Sequence, residues 1–260
     1  MCLLVFAWQK HPRYRLVLAG NRDEFHQRPS APAAWWQERP DLLAGRDLEA
    51  GGAWLGVSRD GNAAVVTNFR ETPAVESAKH SRGALVADFL SQSDDPDIWS
   101  AGVDESRFAG FNLLLFSSTK GHYLSNREQR DTRLASGIYG LSNHRLDTPW
   151  PKLTLARKRF AACIGGEHVD PEDLFDLLAD RQPAAKDELP RTGLPDEWER
   201  LLSAAFIVHP AYGTRASTVL MVGNDGQVLF HERRFDPDGK RAGDERFEFC
   251  TRTAEAARER

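Results

Sequence analysis

The sequence predicts an α+β fold in which helices pack on antiparallel sheets. Roughly ten apolar or alternating runs are joined by short turn signals, the pattern of successive hairpins. The helical patterns gather mid-chain instead of alternating one for one with strands. No Pro/Gly/Ser-rich linker or internal repeat divides the 260 residues, so a single domain over 1–260 is expected.

Residues 1–8 are apolar and read as a buried strand. Lys10-His11-Pro12-Arg13 has turn chemistry, and residues 14–20 return as a second strand ending at Gly20. Pairing these two antiparallel brings Cys2 beside the cluster Asn21-Arg22-Asp23-Glu24. Residues 25–40 carry Arg28-Pro29, Ala31-Pro32 and Arg39-Pro40, which exclude a regular helix and read as a loop. Trp35 and Trp36 either pack that loop on the body or line a pocket for an apolar ligand. Residues 51–58 form a glycine-flanked strand, Asp60-Gly61-Asn62 turns it, and residues 63–70 return. The glycines lack the strand-to-helix setting of a phosphate-binding loop.

A helix follows Ser81-Arg82-Gly83, striped by Leu85, Val86, Phe89 and Leu90. Residues 94–106 read as short helices and loops. Strands over 111–116 and 122–126 turn through Thr119-Lys120-Gly121, and 137–144 is another short strand. Leu153, Ala156, Phe160 and Ile164 share one face of a helix over 150–164, with Pro151 in its first turn. Asp170 caps a second helix with Leu174, Phe175, Leu177 and Leu178 inward. Residues 180–198 read as loop and 205–208 as a strand. A polar loop over 212–218 feeds a strand over 219–222, and Asn224-Asp225-Gly226 turns it into 228–232. Residues 247–249 read as a last strand, and the charged tail 251–260 is expected to fray.

The net charge of −4 argues against a general nucleic-acid binder. Arg157-Lys158-Arg159 falls inside a helical pattern as a solvated face. Cys2, Cys163 and Cys250 are too far apart for a Cys-x-x-Cys metal site or a disulfide framework. No basic region precedes the first apolar run, and no stretch approaches the roughly 18 apolar residues of a membrane span. A cytoplasmic protein is expected. The histidines show no ligand spacing, so no metal is expected.

Cys2 directly follows the initiator Met. Once Met1 is removed, Cys2 carries a thiol (pKa near ~8.5) and a free α-amine (near ~8), so nucleophile and base come in one residue. Arg22 would stabilise the thiolate, and Asp23 would orient the amine or the arginine. The competing reading makes Cys2 a small apolar residue opening a strand. In the same way, Asp23 and Glu24 are candidates for a surface ion pair with Arg22 or Arg28.

Cys2, Gly20-Asn21-Arg22-Asp23-Glu24, Gly51-Gly52-Ala53-Trp54-Leu55-Gly56, Thr67-Asn68-Phe69-Arg70, Leu141-Ser142-Asn143 and Tyr212-Gly213-Thr214-Arg215-Ala216-Ser217-Thr218 occur in that order. The combination, spanning the N-terminus to about residue 235, resembles the NRDE-motif family, whose animal members are the transport and Golgi organisation proteins. That family resembles the N-terminal nucleophile hydrolases of the bile-salt and penicillin-V acylase type. The resemblance implies a four-layer αββα sandwich of two antiparallel sheets covered by helices. It implies Cys2 as nucleophile, Arg22 and Asp23 beside it, Asn68 and Asn143 as oxyanion donors, and Arg215 as a late site arginine. Arg22 stands closer to its Asp than the acylase arginine does. Asn68 and Asn143 also fit as turn residues, and Arg215 as a structural carboxylate anchor. Asn21, Glu24, Trp35, Trp36 and Trp54 are expected to contact substrate.

Two functions follow. One is a cysteine amidohydrolase or acyltransferase acting on an amide or thioester of an apolar acyl group, with residues 25–36 shaping the acyl pocket and no cofactor. The other is a non-catalytic haem- or lipid/acyl-CoA-binding trafficking protein, with Cys2 or a His as the axial ligand to haem. Either way the partner is a small molecule.

Overall fold

The computed structural model describes residues 2–71, 80–92, 95–128 and 130–258. In chain order come β1 (Cys2–Trp8), β2 (Tyr14–Phe25), β3 (Ser30–Trp36), β4 (Arg39–Asp47), β5 (Leu55–Ser58) and β6 (Ala63–Asn68). They are followed by α1 (Arg82–Gln92), α2 (Pro96–Ala101), β7 (Phe111–Phe116), β8 (Gly121–Ser125), β9 (Arg130–Arg133) and β10 (Gly137–Leu141). The remainder is α3 (Pro151–Cys163), α4 (Pro171–Leu178), α5 (Asp196–Leu201), β11 (Tyr212–Gly223), β12 (Gln227–Phe235), β13 (Arg241–Cys250) and α6 (Arg252–Arg258). The strands form two antiparallel sheets, one in the order β10-β1-β2-β11-β12-β13 and one running β3 to β9 in sequence.

Alternation along the strands explains the layering. On β1, Leu4, Phe6 and Trp8 turn inward and meet Val57, Val65, Leu114 and Phe116 of the other sheet. The intervening Leu3, Val5 and Ala7 face α3 and α4, against Leu153, Phe160 and Leu178. Both faces of β1 are therefore buried, which is why it reads as a continuous apolar run. On the second sheet, Ala64, Val66, Leu113 and Leu115 face Val86, Phe89 and Leu90 of α1. The layers run helix, sheet, sheet, helix: the four-layer αββα arrangement. Phe89 is wholly buried, and truncating it to Ala would cost about 3–5 kcal/mol.

Helices stop and start where their caps allow. Asp170 accepts from the Glu172 amide at 2.9 Å, with Pro171 opening α4. Hairpin turns use Gly61 (φ 77°) and Gly226 (φ 83°), a backbone region that costs glycine little.

Four expectations need correcting. Residues 212–218, read as a polar loop, are the first part of β11, paired with β2. Residues 25–40 are not a loop: most of them belong to β3, its turn and the start of β4. Proline is accommodated because β3 is an outer strand and its pairing with β4 slips between Ala31 and Ala34. Residues 205–208 are irregular; the Ile207 amide is satisfied by Thr214 Oγ1 at 2.9 Å instead of by a neighbouring strand. Residues 252–258, expected to fray, form α6, tied down by Arg252 to Asp60 and Asp41 at 2.8 and 2.9 Å. Cys2, Cys163 and Cys250 are free thiols. Among the described residues no helix is long and apolar enough to cross a membrane.

Candidate functional site

The β1–β2 register places Cys2 directly opposite Arg22. Cross-strand partners share a face, so both look toward the space between the sheets, in line with Leu4 and Leu18. Strand alternation then divides the Asn21-Arg22-Asp23-Glu24 run. Arg22 and Glu24 share the Cys2 face, whereas Asn21 and Asp23 turn toward the helical layer.

A cavity of about 190 Å³ opens beside Cys2. Arg22, Glu24, Trp54 and Asn68 border it, with the N-terminus of α1 at its rim. Arg22 donates to Asp47 at 3.1 Å, Arg28 donates to the same carboxylate oxygen at 2.6 Å, and Arg22 lies 4.5 Å from the centre of the Trp54 ring. A Cβ on Gly52 would come within 2.4 Å of the Gly83 carbonyl carbon, and the Ala53 amide donates to Gly83 O at 3.1 Å. Glycine at both positions is thus what lets the start of α1 approach the strand and close the cavity.

Burial pushes the Cys2 thiol above its ordinary value, and the charge of Asp23 acts in the same direction. Arg22 and the Asp23 backbone amide, which hydrogen-bonds the sulfur, oppose that rise. The resting group is a protonated thiol, so it needs a base.

Asn143 is wholly buried and holds the position where that base would lie. The Cys2 nitrogen donates to Asn143 Oδ1 at 2.7 Å, and Asn143 Nδ2 donates to the Asn68 carbonyl at 2.8 Å. Donor on one side and acceptor on the other fix which way the amide points. Ser142 Oγ adds a 3.1 Å bond to the Cys2 carbonyl. Asn143 sits at φ 55°, a conformation asparagine tolerates better than most residues. These bonds use Oδ1 and one of the two Nδ2 hydrogens, so the second Nδ2 hydrogen is the one that could meet an oxyanion, the role the sequence suggested. Asn68 retains a position on the cavity wall.

Asp23 is buried behind the sulfur. Its Oδ1 accepts from Thr214 Oγ1 at 2.7 Å, and its carbonyl accepts from Tyr212 at 3.0 Å. Lys152, from the first turn of α3, faces it. Burial raises the Asp23 carboxyl even though Lys152 lowers it, and burial brings the Lys152 ammonium down to about 8 against the pull of Asp23.

Other expected site residues lie elsewhere. Asn21 donates to Leu178 O at 2.9 Å and Ala205 O at 2.8 Å and accepts from Ser217 at 2.6 Å, so it ties β2 to the helical layer instead of contacting substrate. Arg215 is the extra residue of a bulge: Thr214 pairs with Asp23 and Ala216 with Arg22. The bulge re-aims its side chain to the carbonyls of Phe25, His26 and Arg28 and to a neighbouring cavity. Trp35 packs against Phe249, and Trp36 donates to Ala44 O at 3.0 Å under Arg46. Neither borders the cavity at Cys2: Trp35 packs into the layer between the sheets and Trp36 into the layer under α1. Trp54 alone of the three tryptophans borders the cavity.

Arg82, Lys152, Thr214 and the Gly52–Gly83 contact were not singled out from sequence. A signal existed for Lys152: a cation in the first turn of a helix opposes the helix dipole and needs a reason. Among the described residues no group of three or more His, Cys, Asp or Glu side chains is placed to hold a metal ion.

A family model described as Transport and Golgi organisation 2 matches residues 1–237. The human Transport and Golgi organization protein 2 homolog is 36% identical over 256 residues, 90% of this chain and 92% of that protein. The Drosophila melanogaster Transport and Golgi organization protein 2 is 27% identical over 270 residues, covering 92% and 95%. Among solved structures, a Caenorhabditis elegans N-acylethanolamine-hydrolyzing acid amidase ortholog superposes with a TM-score of 0.44 at 13% identity, over 84% of this chain and 92% of that one.

Proposed function

This chain belongs to the Transport and Golgi organisation 2 family, and we propose that it works as an N-terminal nucleophile hydrolase or acyltransferase acting on an amide or thioester. The observation that carries the reading is the Cys2 nitrogen held by Asn143 within a cavity bordered by Arg22 and Asn68. The reading requires Cys2 to become the terminal residue; Met1 lies outside the described residues.

Once terminal, the Cys2 nitrogen is an amine anchored through one hydrogen to Asn143. It takes the proton from Sγ. The thiolate attacks the substrate carbonyl carbon, forming a C–S bond, and the developing oxyanion is met by the Asn68 side chain. Collapse breaks the bond to the leaving amine or thiol, which receives the proton from the Cys2 ammonium. Water, deprotonated by the same amine, then attacks the acyl-thioester and frees the acid. Arg22 lowers the cost of the thiolate throughout, and Lys152 balances the charge of Asp23 behind it.

The cavity is smaller than the roughly 300–1,000 Å³ of drug-sized ligand sites and carries several charged groups. That favours a compact scissile group at Cys2, with an apolar acyl chain following the Ala53, Trp54 and Val66 wall. It disfavours haem or a lipid held whole as a transported ligand. A reducing, cytoplasmic setting suits a mechanism that needs Cys2 as a free thiol. The test is intact-mass analysis during reaction with an activated acyl thioester. One acyl adduct on Cys2, absent in Cys2→Ala together with turnover, supports the reading; undiminished turnover in Cys2→Ala overturns it.

A further inference from the structure

We propose that a second cavity, on the far side of the Arg22–Trp54 pair, binds a compact oxyanion, a carboxylate or a phosphate, between Arg22 and Glu232. The cavity measures about 210 Å³ and is bordered by Arg22, Trp54, Arg215, Glu232 and Arg234.

Two deeply buried polar atoms mark it. Glu232 is 1% exposed, and its Oε2 has no hydrogen-bond partner among the described residues. Arg22 is 6% exposed, and its Nη1 is likewise unpartnered, although Nη2 binds Asp47. Leaving such groups unmet costs about 1–3 kcal/mol each, more when charged. Their placement is built: Glu232 Oε1 accepts from the Ala33 amide at 2.8 Å, which fixes the carboxyl. Gly45 provides the room, since a Cβ there would lie 2.4 Å from the Trp54 ring and 3.0 Å from Glu232 Oε2.

The charges favour an anion. Arg22 shares Asp47 with Arg28 and also lies 4.0 Å from Glu24, both through Nη2, which leaves Nη1 for the cavity; Arg234 is neutralised by Glu245 of β13 at 2.8 and 3.1 Å. Arg215 makes no ion pair among the described residues; its Nη1 is taken up by three carbonyls. Asp236 is the opposing carboxylate on the rim, and His26 there is held toward its neutral form by burial. Glu232 itself is pushed up to about 7, mainly by burial and further by Glu245, while the Ala33 amide, Arg234 and Arg22 resist. Near neutrality its carboxyl can donate. A neutral O–H and a guanidinium N–H on one cavity suit an acceptor with two adjacent oxygens. The site shares Arg22 with the Cys2 cavity but does not require the Cys2 thiol.

The test is calorimetric titration of the full chain with acetate and, separately, inorganic phosphate, at constant ionic strength with chloride as control. Saturable 1:1 binding of either above chloride supports the site, and the tighter of the two assigns the source chemistry. Glu232→Leu is expected to weaken binding at least tenfold, and Cys2→Ala to leave it unchanged. Wild-type acetate affinity is expected to fall at least tenfold from pH 6 to pH 8.5, and to stay level in Glu232→Gln, which keeps a neutral donor. That pH comparison decides the matter if Glu232→Leu does not fold. No saturable binding above chloride, or equal affinity and pH dependence in the variants, overturns the proposal. Binding that survives in Cys2→Ala without any turnover in the wild type leaves this site standing and removes only the catalytic reading.

Discussion

One asparagine joins the two sheets at Cys2: Asn143 accepts from the Cys2 nitrogen at 2.7 Å and donates to the Asn68 carbonyl at 2.8 Å. Cys2 begins β1 of one sheet and Asn68 ends β6 of the other. A single buried amide therefore sets the distance between the candidate nucleophile and the candidate oxyanion donor.

Two substitutions at Asn143 separate side chain from backbone. Asn143→Gly keeps the φ of 55° at little cost but removes the amide. Alkylation of Cys2 by iodoacetamide is expected to slow at least tenfold, with thermal stability reduced by about 1–3 kcal/mol for the unmet groups. Asn143→Ala is expected to lose about 1 kcal/mol more, from backbone strain. An unchanged alkylation rate in Asn143→Gly would remove Asn143 from the site.

Lys152→Met removes a cation that favours the charged forms of both Asp23 and the Cys2 thiolate. The pH–rate profile of Cys2 alkylation is expected to move to higher pH. A role confined to packing would change the rate at every pH and leave the midpoint where it was.

Glu232 makes stability pH-dependent in a defined direction. Its folded-state pKa, about 7, lies above its ordinary value, so the folded protein holds the proton more tightly. Stability attributable to this group is complete below about pH 4.5 and is lost as pH rises through 7, up to about 3 kcal/mol as an upper bound. Glu232→Gln is expected to raise Tm relative to wild type at pH 8 and to leave it nearly equal at pH 4.5. A gap that is constant with pH would contradict the assignment.

Gly52→Ala forces a Cβ to within 2.4 Å of the Gly83 backbone. Backbone cannot yield as a flexible side chain does, so α1 has to retreat. The expected outcome is about 1–3 kcal/mol lost in denaturant unfolding together with slower Cys2 alkylation.

Much of this was legible in the chain, for physical reasons. The run Leu113-Leu114-Leu115 is buried on both faces, and Asp60-Gly61-Asn62 supplies a positive-φ glycine, so strands and hairpins announced themselves. The hairpin of residues 1–20 put Cys2 beside Arg22 because antiparallel pairing leaves little freedom in register. The β3–β4 hairpin was hidden by prolines that an edge strand tolerates. Arg215 was misplaced because a bulge is a property of two strands: an extra residue in β11 against β2 turns a side chain to a different wall, and one strand's sequence does not count its partner. Lys152 was hidden by distance, since Asp23 lies more than a hundred residues away and only the fold brings them together.

The most direct measurement is the intact mass of the purified protein before and after brief exposure to limiting iodoacetamide near neutral pH. The expected result is a chain lacking the initiator Met, with a single rapid label that peptide mapping places on Cys2. A chain that keeps its Met, or a Cys2 no more reactive than Cys163 and Cys250, would contradict an N-terminal nucleophile.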